Sequence, residues 1–184
     1  PLEGTDGAQI VAKETYAANP DKYFYADQYS NDANWQAHYL TTAEEIWTQT
    51  KGKITHFVAG LGTTGTFVGT ARRLKELGNV QLISLQPDHP FHPLEGWKHL
   101  ATAHRPGIYD DTLADKTLVI DSSGVFDMIK SISIHERLFI SPSGAANLLG
   151  ALEVASQIKE GDIVTTLADT LDRYQEVRKE IFGT

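Results

Sequence analysis

Apolar and polar positions switch between two periods along this chain, and the switching predicts helices interleaved with short strands. From Asp6 to Ala18, "DGAQIVAKETYAA" has apolar residues at helical spacing, an aspartate near its start and Asn19-Pro20 as a stop. "KYFYA" (Lys22 to Ala26) is aromatic and strand-like. The polar stretch from Asp27 then leads into a second helical run that reaches about Thr50. "KITHFVAG" from Lys53 and "VQLISLQP" from Val80 are short and largely apolar, the pattern of strands covered on both faces. Between them, Phe67 to Leu77 predicts a helix closed by Gly78. Residues 88–115 form a loop-rich insertion holding Pro90, Pro93 and Pro106. "KTLVI" from Lys116 predicts a strand, "SGVFDMIKSISIHE" from Ser123 a helix, and "RLFIS" from Arg137 a short strand. "GAANLLGALEVASQIK" from Gly144 is the most helical segment, followed by a strand "DIVTTLA" from Asp162 and a helix "RYQEVRKEIF" from Arg173.

Strands alternating with helices predict an α/β fold: a doubly wound, mainly parallel sheet with helices on both faces. The 184 residues suffice for one large domain, or for one domain and part of another. A net charge of -8 argues against general nucleic-acid binding, which needs clustered Lys and Arg. No apolar run has membrane-spanning length, so no membrane partner is expected. The chain has no cysteine, which excludes disulfides, thiolate nucleophiles and thiolate metal ligands and agrees with a cytoplasmic location.

One stretch departs from ordinary patterning. "VAGLGTTGTFVGTARRLKE" (Val58 to Glu76) places glycines and threonines where a strand passes into a helix. In a parallel sheet such a turn lies at the carboxyl end of a strand, where ligands bind. Bared backbone N–H groups and the start of the next helix make an anion site there, and threonine hydroxyls add donors. The loop lacks the lysine of a nucleotide-hydrolysing P-loop. The plainer alternative is a tight turn that uses glycine for backbone reasons alone. Four histidines, His89, His92, His99 and His104, suggest a metal, but their spacing fits no zinc pattern and exposed loop residues are expected.

The neighbouring segments carry a family resemblance. "YFYADQYSNDANWQAHYLTTAEEIW" followed by "THFVAGLGTTGTFVG", then "LISLQPDHPFHPLEGWKHL", "SPSGAANLLGALEVA" and "TTLADTLDRY", resembles the second half of pyridoxal-phosphate β-replacement enzymes. The family is that of cysteine synthase (O-acetylserine sulfhydrylase) and cystathionine β-synthase, with the tryptophan-synthase-β fold type. The resemblance implies pyridoxal 5'-phosphate as cofactor, its phosphate cradled by Gly62, Thr63, Thr64, Gly65 and Thr66. It implies that Ser143, with Ser141 as the nearby alternative, meets the cofactor's ring nitrogen; a neutral hydroxyl there leaves the ring a weaker electron sink than an aspartate would. Ser143 can equally cap the helix from Gly144. By the same resemblance Gln28 helps hold the substrate carboxylate, against a plain solvated glutamine, and Gly96 lines the site entrance. Asp169, Asp172, Arg173 and Tyr174 become supports near the cofactor. Lys98 and Arg105 are candidates for attracting an anionic leaving group, against ordinary solvated charges.

The implied activity is β-replacement on O-acetyl- or O-phosphoserine by sulfide to give cysteine, with a small amino-acid substrate. Cystathionine β-synthase or serine/threonine deaminase chemistry is the enzymatic alternative, and a non-catalytic phosphate-ligand-binding or interaction module the other. The family's Schiff-base lysine lies in an S-x-K-D-R-like segment that has no counterpart here. Lys13, Lys53, Lys75 and Lys98 sit in other contexts, so no catalytic residue is expected within this chain. Together with the opening "PLEGTDG", this suggests the C-terminal portion of a longer protein: residues 1–30 ending a small domain, residues 31–184 forming most of a large one. Such a portion needs the N-terminal segment to act, and the family implies a homodimer.

Overall fold

The computed structural model of the chain describes residues 4–183. Pro1 to Glu3, the expected loop into the first helix and the start of the expected small-domain segment, lie outside the described residues, as does Thr184. Helix α1 is Gly4–Ala18. A long helical run follows: α2 (Ala33–Ala37), one π-turn over His38–Thr42, and α3 (Ala43–Gln49). Strand β1 (Ile54–Gly60), helix α4 (Gly65–Leu77) and strand β2 (Gln81–Pro87) come next, then the long loop and strand β3 (Lys116–Ile120). Helices α5 (Val125–His135) and α6 (Pro142–Gln157), strand β4 (Asp162–Thr165) and helix α7 (Gln175–Phe182) complete the order.

The four strands form one sheet in the order β3-β2-β1-β4, every pair parallel. Phe57 sits beside Leu82 and Val164, and Val58 beside Ile83 and Thr165. Successive side chains point to opposite faces, so one face carries Val58, Ile83, Leu85, Leu118 and Ile120. That face is buried against Val125 and Ile129 of α5 and Ala145, Ala146 and Val154 of α6. Phe57, Ala59 and Leu82 face the other way, onto Phe67, Val68, Ala71 and Leu74 of α4. Burial on both faces explains why these strands are apolar runs rather than alternating ones. The predicted fold class is the observed one.

The chain moves outward from β1 to β2 to β3 and then returns to the other side of β1 with β4. Strand order therefore reverses between β1 and β4, where open α/β sheets form their ligand crevice. The helical run packs across α4 at close range: a Cβ on Gly69 would stand 2.0 Å from the Trp35 carbonyl oxygen, so only glycine fits there.

Two local expectations need correction, and a third holds for a different physical reason. Residues 22–26 join no strand among the described residues, and Phe24 is 91% exposed: an aromatic run without a hydrogen-bonded neighbour is not a strand. Of the strand expected from Arg137, only one antiparallel bridge forms, between Ile140 and Thr170. Gly78 does end α4, but its backbone is extended (φ -171). Glycine is needed because the Trp47 ring would lie 2.7 Å from any Cβ.

Candidate functional site

The loop after β1 is compressed from two sides. A Cβ on Gly60 would lie 1.9 Å from the Trp97 ring, on Gly62 1.9 Å from the Gly96 carbonyl oxygen, and on Gly65 1.9 Å from Asn34 Oδ1. The glycines thus serve close approach, to the long loop on one side and to α2 on the other. Thr64 adopts the left-handed conformation (φ 74) immediately before α4, and its carbonyl accepts from Val68 N at 2.8 Å. Its side chain is buried (3% exposed), and among the described residues Oγ1 has no hydrogen-bond partner. Asn34 Nδ2 donates to Thr63 Oγ1 (3.0 Å) and to the Gln28 carbonyl (2.6 Å), tying the loop to the turn before α2. Thr66 Oγ1 lies 3.2 Å from His38 Nε2. An unpartnered buried hydroxyl at the start of a 13-residue helix, beside open backbone donors, can hold an anion.

The facing wall comes from α6, β4 and the residues after them. Ser141, not Ser143, caps α6: its Oγ accepts from Gly144 N at 3.2 Å, and Pro142 occupies the first helical position. Ser143 Oγ lies 3.2 Å from Ser141 Oγ and faces the crevice. Asn147, 5% exposed, accepts from Gly60 N at 2.8 Å and donates to the Thr166 carbonyl at 2.8 Å, clamping the ends of β1 and β4 together. Tyr174 donates to Asp169 Oδ2 at 2.7 Å. Burial, then the bonded carboxylate, push the Tyr174 phenol up to about 12, so it stays protonated and a donor. Asp169 Oδ1 is buried without a partner among the described residues.

These walls enclose a cavity of about 840 Å³, within the roughly 300–1,000 Å³ usual for cofactor and small-molecule sites. Gly62, Thr63, Thr64, Thr66, Gly96 and Ser143 all line it; Gly65 lies behind them, buried against Asn34. Gly96 has φ +88, which calls for glycine although a Cβ would meet nothing. Gln28 lines a separate depression of about 410 Å³ beside α1, joined to Thr63 only through its own carbonyl and Asn34. Asp169 and Tyr174 line the main cavity, whereas Asp172 and Arg173 do not.

Lys98 and Arg105 do not face this cavity, which overturns their reading as attractors of a leaving group. Neither is Lys98 a solvated charge. It is 6% exposed, its ammonium pairs with Asp6 of α1 and lies over the Tyr29 ring, and its backbone N–H donates to the Leu61 carbonyl. Arg105 pairs with Asp111 at 2.9 Å and lies over Tyr109. Of the loop histidines, His89 and His104 are exposed and His92 and His99 half-buried. His92 Nδ1 accepts from Leu94 N, and His99 Nδ1 meets Thr102 Oγ1. Sequence reading missed His38, Thr42, Asn34 and Asn147. Only Asn147 left a signal, as an amide inside an otherwise apolar helix.

Comparison with known proteins agrees with this geometry. Residues 3–169 match the family described as pyridoxal-phosphate dependent enzyme. The chain is 43% identical over 179 residues to a cysteine synthase of Aquifex aeolicus, covering 95% of this chain and 55% of that protein. It is 35% identical over 173 residues to cysteine synthase B of Escherichia coli, covering 94% of this chain and 56% of that one. Among solved structures, O-acetyl serine sulfhydrylase isoform 3 from Entamoeba histolytica superposes with a TM-score of 0.86 at 26% identity, covering 100% of this chain and 56% of that chain. A hydrogen sulfide-producing enzyme from Fusobacterium nucleatum does so with a TM-score of 0.86 at 30% identity, covering 94% and 61%. The chain spans about half the length of the curated relatives it matches. The switch-point cavity, the glycine-threonine loop at its floor and these matches together establish that the chain belongs to the pyridoxal-phosphate dependent enzyme family, alongside the cysteine synthases.

Proposed function

We propose that this chain is the cofactor-phosphate-binding portion of a cysteine-synthase-like enzyme, which replaces the O-acetyl or O-phospho group of an activated serine by sulfide to give cysteine. One observation carries the reading: the buried, unpartnered Thr64 hydroxyl stands at the start of α4 in the same cavity as Ser143. The residues present fit pyridoxal phosphate. Gly62, Thr63, Thr64, Gly65 and Thr66 would hold the phosphate, and Ser143, released from capping by Ser141, would meet the ring nitrogen. The bound cofactor supplies an electron sink for bond cleavage at the amino acid's α- and β-carbons. Around it, Tyr174 and Asp169 would support the far wall, Gly96 the entrance, and Gln28, from the depression beside α1, the substrate carboxylate.

In this reading residues 1–30 end a small domain and residues 31–184 form most of the large one. Among the described residues no lysine lines the cavity, which supports a chain that binds the cofactor without joining to it covalently and that needs an N-terminal segment for turnover. No described helix is long and apolar enough to cross a membrane. A cytoplasmic, transferase-type homodimer is the form in which we place the whole enzyme.

The test is equilibrium binding of pyridoxal phosphate to the 184-residue chain, followed by borohydride reduction. Reversible binding that is displaced by inorganic phosphate, weakened about tenfold or more by Thr64→Val, and leaves no covalent adduct supports the proposal. An adduct mapped to a lysine of this chain would overturn the division of labour, and failure to bind would overturn the function.

A further inference from the structure

The run from Ala33 to Gln49 is one continuous helix except at the π-turn His38–Thr42. Such single turns often mark functional positions. His38 and Thr42 open and close this turn, and both line the cavity, as does Thr66 of the glycine loop. The imidazole bridges the two threonines, with Nδ1 3.0 Å from Thr42 Oγ1 and Nε2 3.2 Å from Thr66 Oγ1.

Burial lowers the proton affinity of this ring below that of an ordinary histidine, so near neutral pH it is uncharged, with one donor and one acceptor nitrogen. The surroundings choose which is which. Helical threonines nearby give their hydroxyl hydrogens to the carbonyl four residues back: Thr41 to Ala37 at 2.7 Å, Thr50 to Ile46 at 2.8 Å. Thr42 makes no such bond among the described residues, and the contact its hydroxyl does make there is with His38 Nδ1 at 3.0 Å. The partner open to the Thr42 hydrogen is therefore His38 Nδ1. If Thr42 donates to Nδ1, the ring's own proton is on Nε2 and is donated to Thr66 Oγ1. Thr66 then has its hydroxyl hydrogen free for the cavity. The opposite tautomer would draw that hydrogen back to the ring and turn oxygen lone pairs towards an incoming anion.

We infer that His38 is a positioning residue whose Nε2–H tautomer, fixed by Thr42, turns the Thr66 hydroxyl hydrogen into the cavity as a donor to a phosphate monoester. This rests on the phosphate-binding reading of the glycine loop and adds a relay behind it, Thr42 to His38 to Thr66.

Two measurements on the whole 184-residue chain test it. Nitrogen NMR of the His38 ring in the ligand-free protein should show the Nε2–H form, and an Nδ1–H ring overturns the relay whether or not any ligand binds. Inorganic phosphate and pyridoxal phosphate are then titrated into variants. His38→Leu and Thr66→Val should each weaken both ligands about tenfold, the effect of one lost hydrogen bond to a charged group. The double variant should be no weaker than Thr66→Val alone, whereas His38→Gln, which keeps a donor at the Nε2 position, should recover most of the affinity. Additive losses, or unchanged affinity in His38→Leu, overturn the proposal. Thr42→Val keeps the test decisive if His38→Leu fails to fold: it should shift the ring towards Nδ1–H and weaken phosphate several-fold, and an unshifted ring refutes the role given to Thr42. A wild-type chain that binds neither ligand overturns the phosphate reading and this inference with it, while the ring's tautomer separately reports whether the hydrogen-bond chain exists.

Discussion

Asn147 shows how much of the site depends on single polar side chains in an apolar setting. Its oxygen takes the Gly60 N–H and its nitrogen the Thr166 carbonyl, so one side chain satisfies the open ends of two neighbouring strands. Replacing it with leucine keeps the volume but leaves both half-buried groups without their partner. Asn147→Leu should cost about 2 kcal/mol of unfolding free energy, measured by urea denaturation, because two hydrogen bonds of roughly 0.5–1.5 kcal/mol each are lost. A loss under about 0.5 kcal/mol, the usual effect of a neutral substitution, would show that water replaces the clamp. The sequence marks Asn147 only as an oddity within "GAANLLG". His38 is less legible still, because its role depends on Thr66, 28 residues away. Ser143 is the reverse case. Sequence pattern allowed it to be cap or ligand, and only the backbone geometry at Ser141 separates those roles.

At the scale of elements, the glycine loop is shaped by what presses on it. Gly62 and Gly96 meet across the cavity floor for different physical reasons. Gly62 is needed because the Gly96 carbonyl occupies the place of a Cβ, and Gly96 because its φ is +88. Gly62→Ala should therefore force two backbone segments apart and abolish phosphate binding, an effect visible by titration calorimetry. Gly96→Ala meets open space and should cost only the left-handed backbone strain, roughly 1–2 kcal/mol, with phosphate affinity kept within about threefold. Equal loss of binding in both variants would mean that strain, not the close approach, controls the loop. The helices and three of the four strands were legible as periodicity, since burial on one stripe or on both faces repeats along the chain. The fourth strand, β4, was legible as well, but shorter than expected. "KYFYA" misled because aromatic content measures fitness for a sheet, not the presence of a neighbouring strand.

At the scale of the whole molecule, one long-range tie joins the first helix to the long loop. Asp6 accepts from the buried Lys98 ammonium and from the His104 backbone N–H at 2.8 Å, and Lys98 itself hangs from the Leu61 carbonyl at the start of the glycine loop. Burial alone would raise the Asp6 carboxyl, but the bonds from His104 and Lys98 outweigh it and hold the group below its ordinary 3.8. A depressed carboxylate contributes stability that is present above 3.8 and lost as pH falls through the lower folded value. Amide protection of α1 should accordingly collapse on acidification below pH 3.8, earlier than protection of β1 and β2, and Asp6→Asn should show the same loss at neutral pH. Simultaneous loss in helix and sheet on acidification would show that the tie is not a separate unit.

By itself the sequence determined the class of fold, the strand-to-helix turn that bares its backbone, and the family to which the chain belongs. Those properties are local or repetitive, and residue type, period and contiguous motif are enough to carry them. The tertiary structure alone decided that β4 returns beside β1 and opens a crevice there, that Lys98 is a buried partner of Asp6 rather than a free charge, and that His38 stands behind Thr66. Each of these joins residues between 28 and 107 positions apart, a proximity set by how packed layers meet and by nothing in the local pattern of the chain.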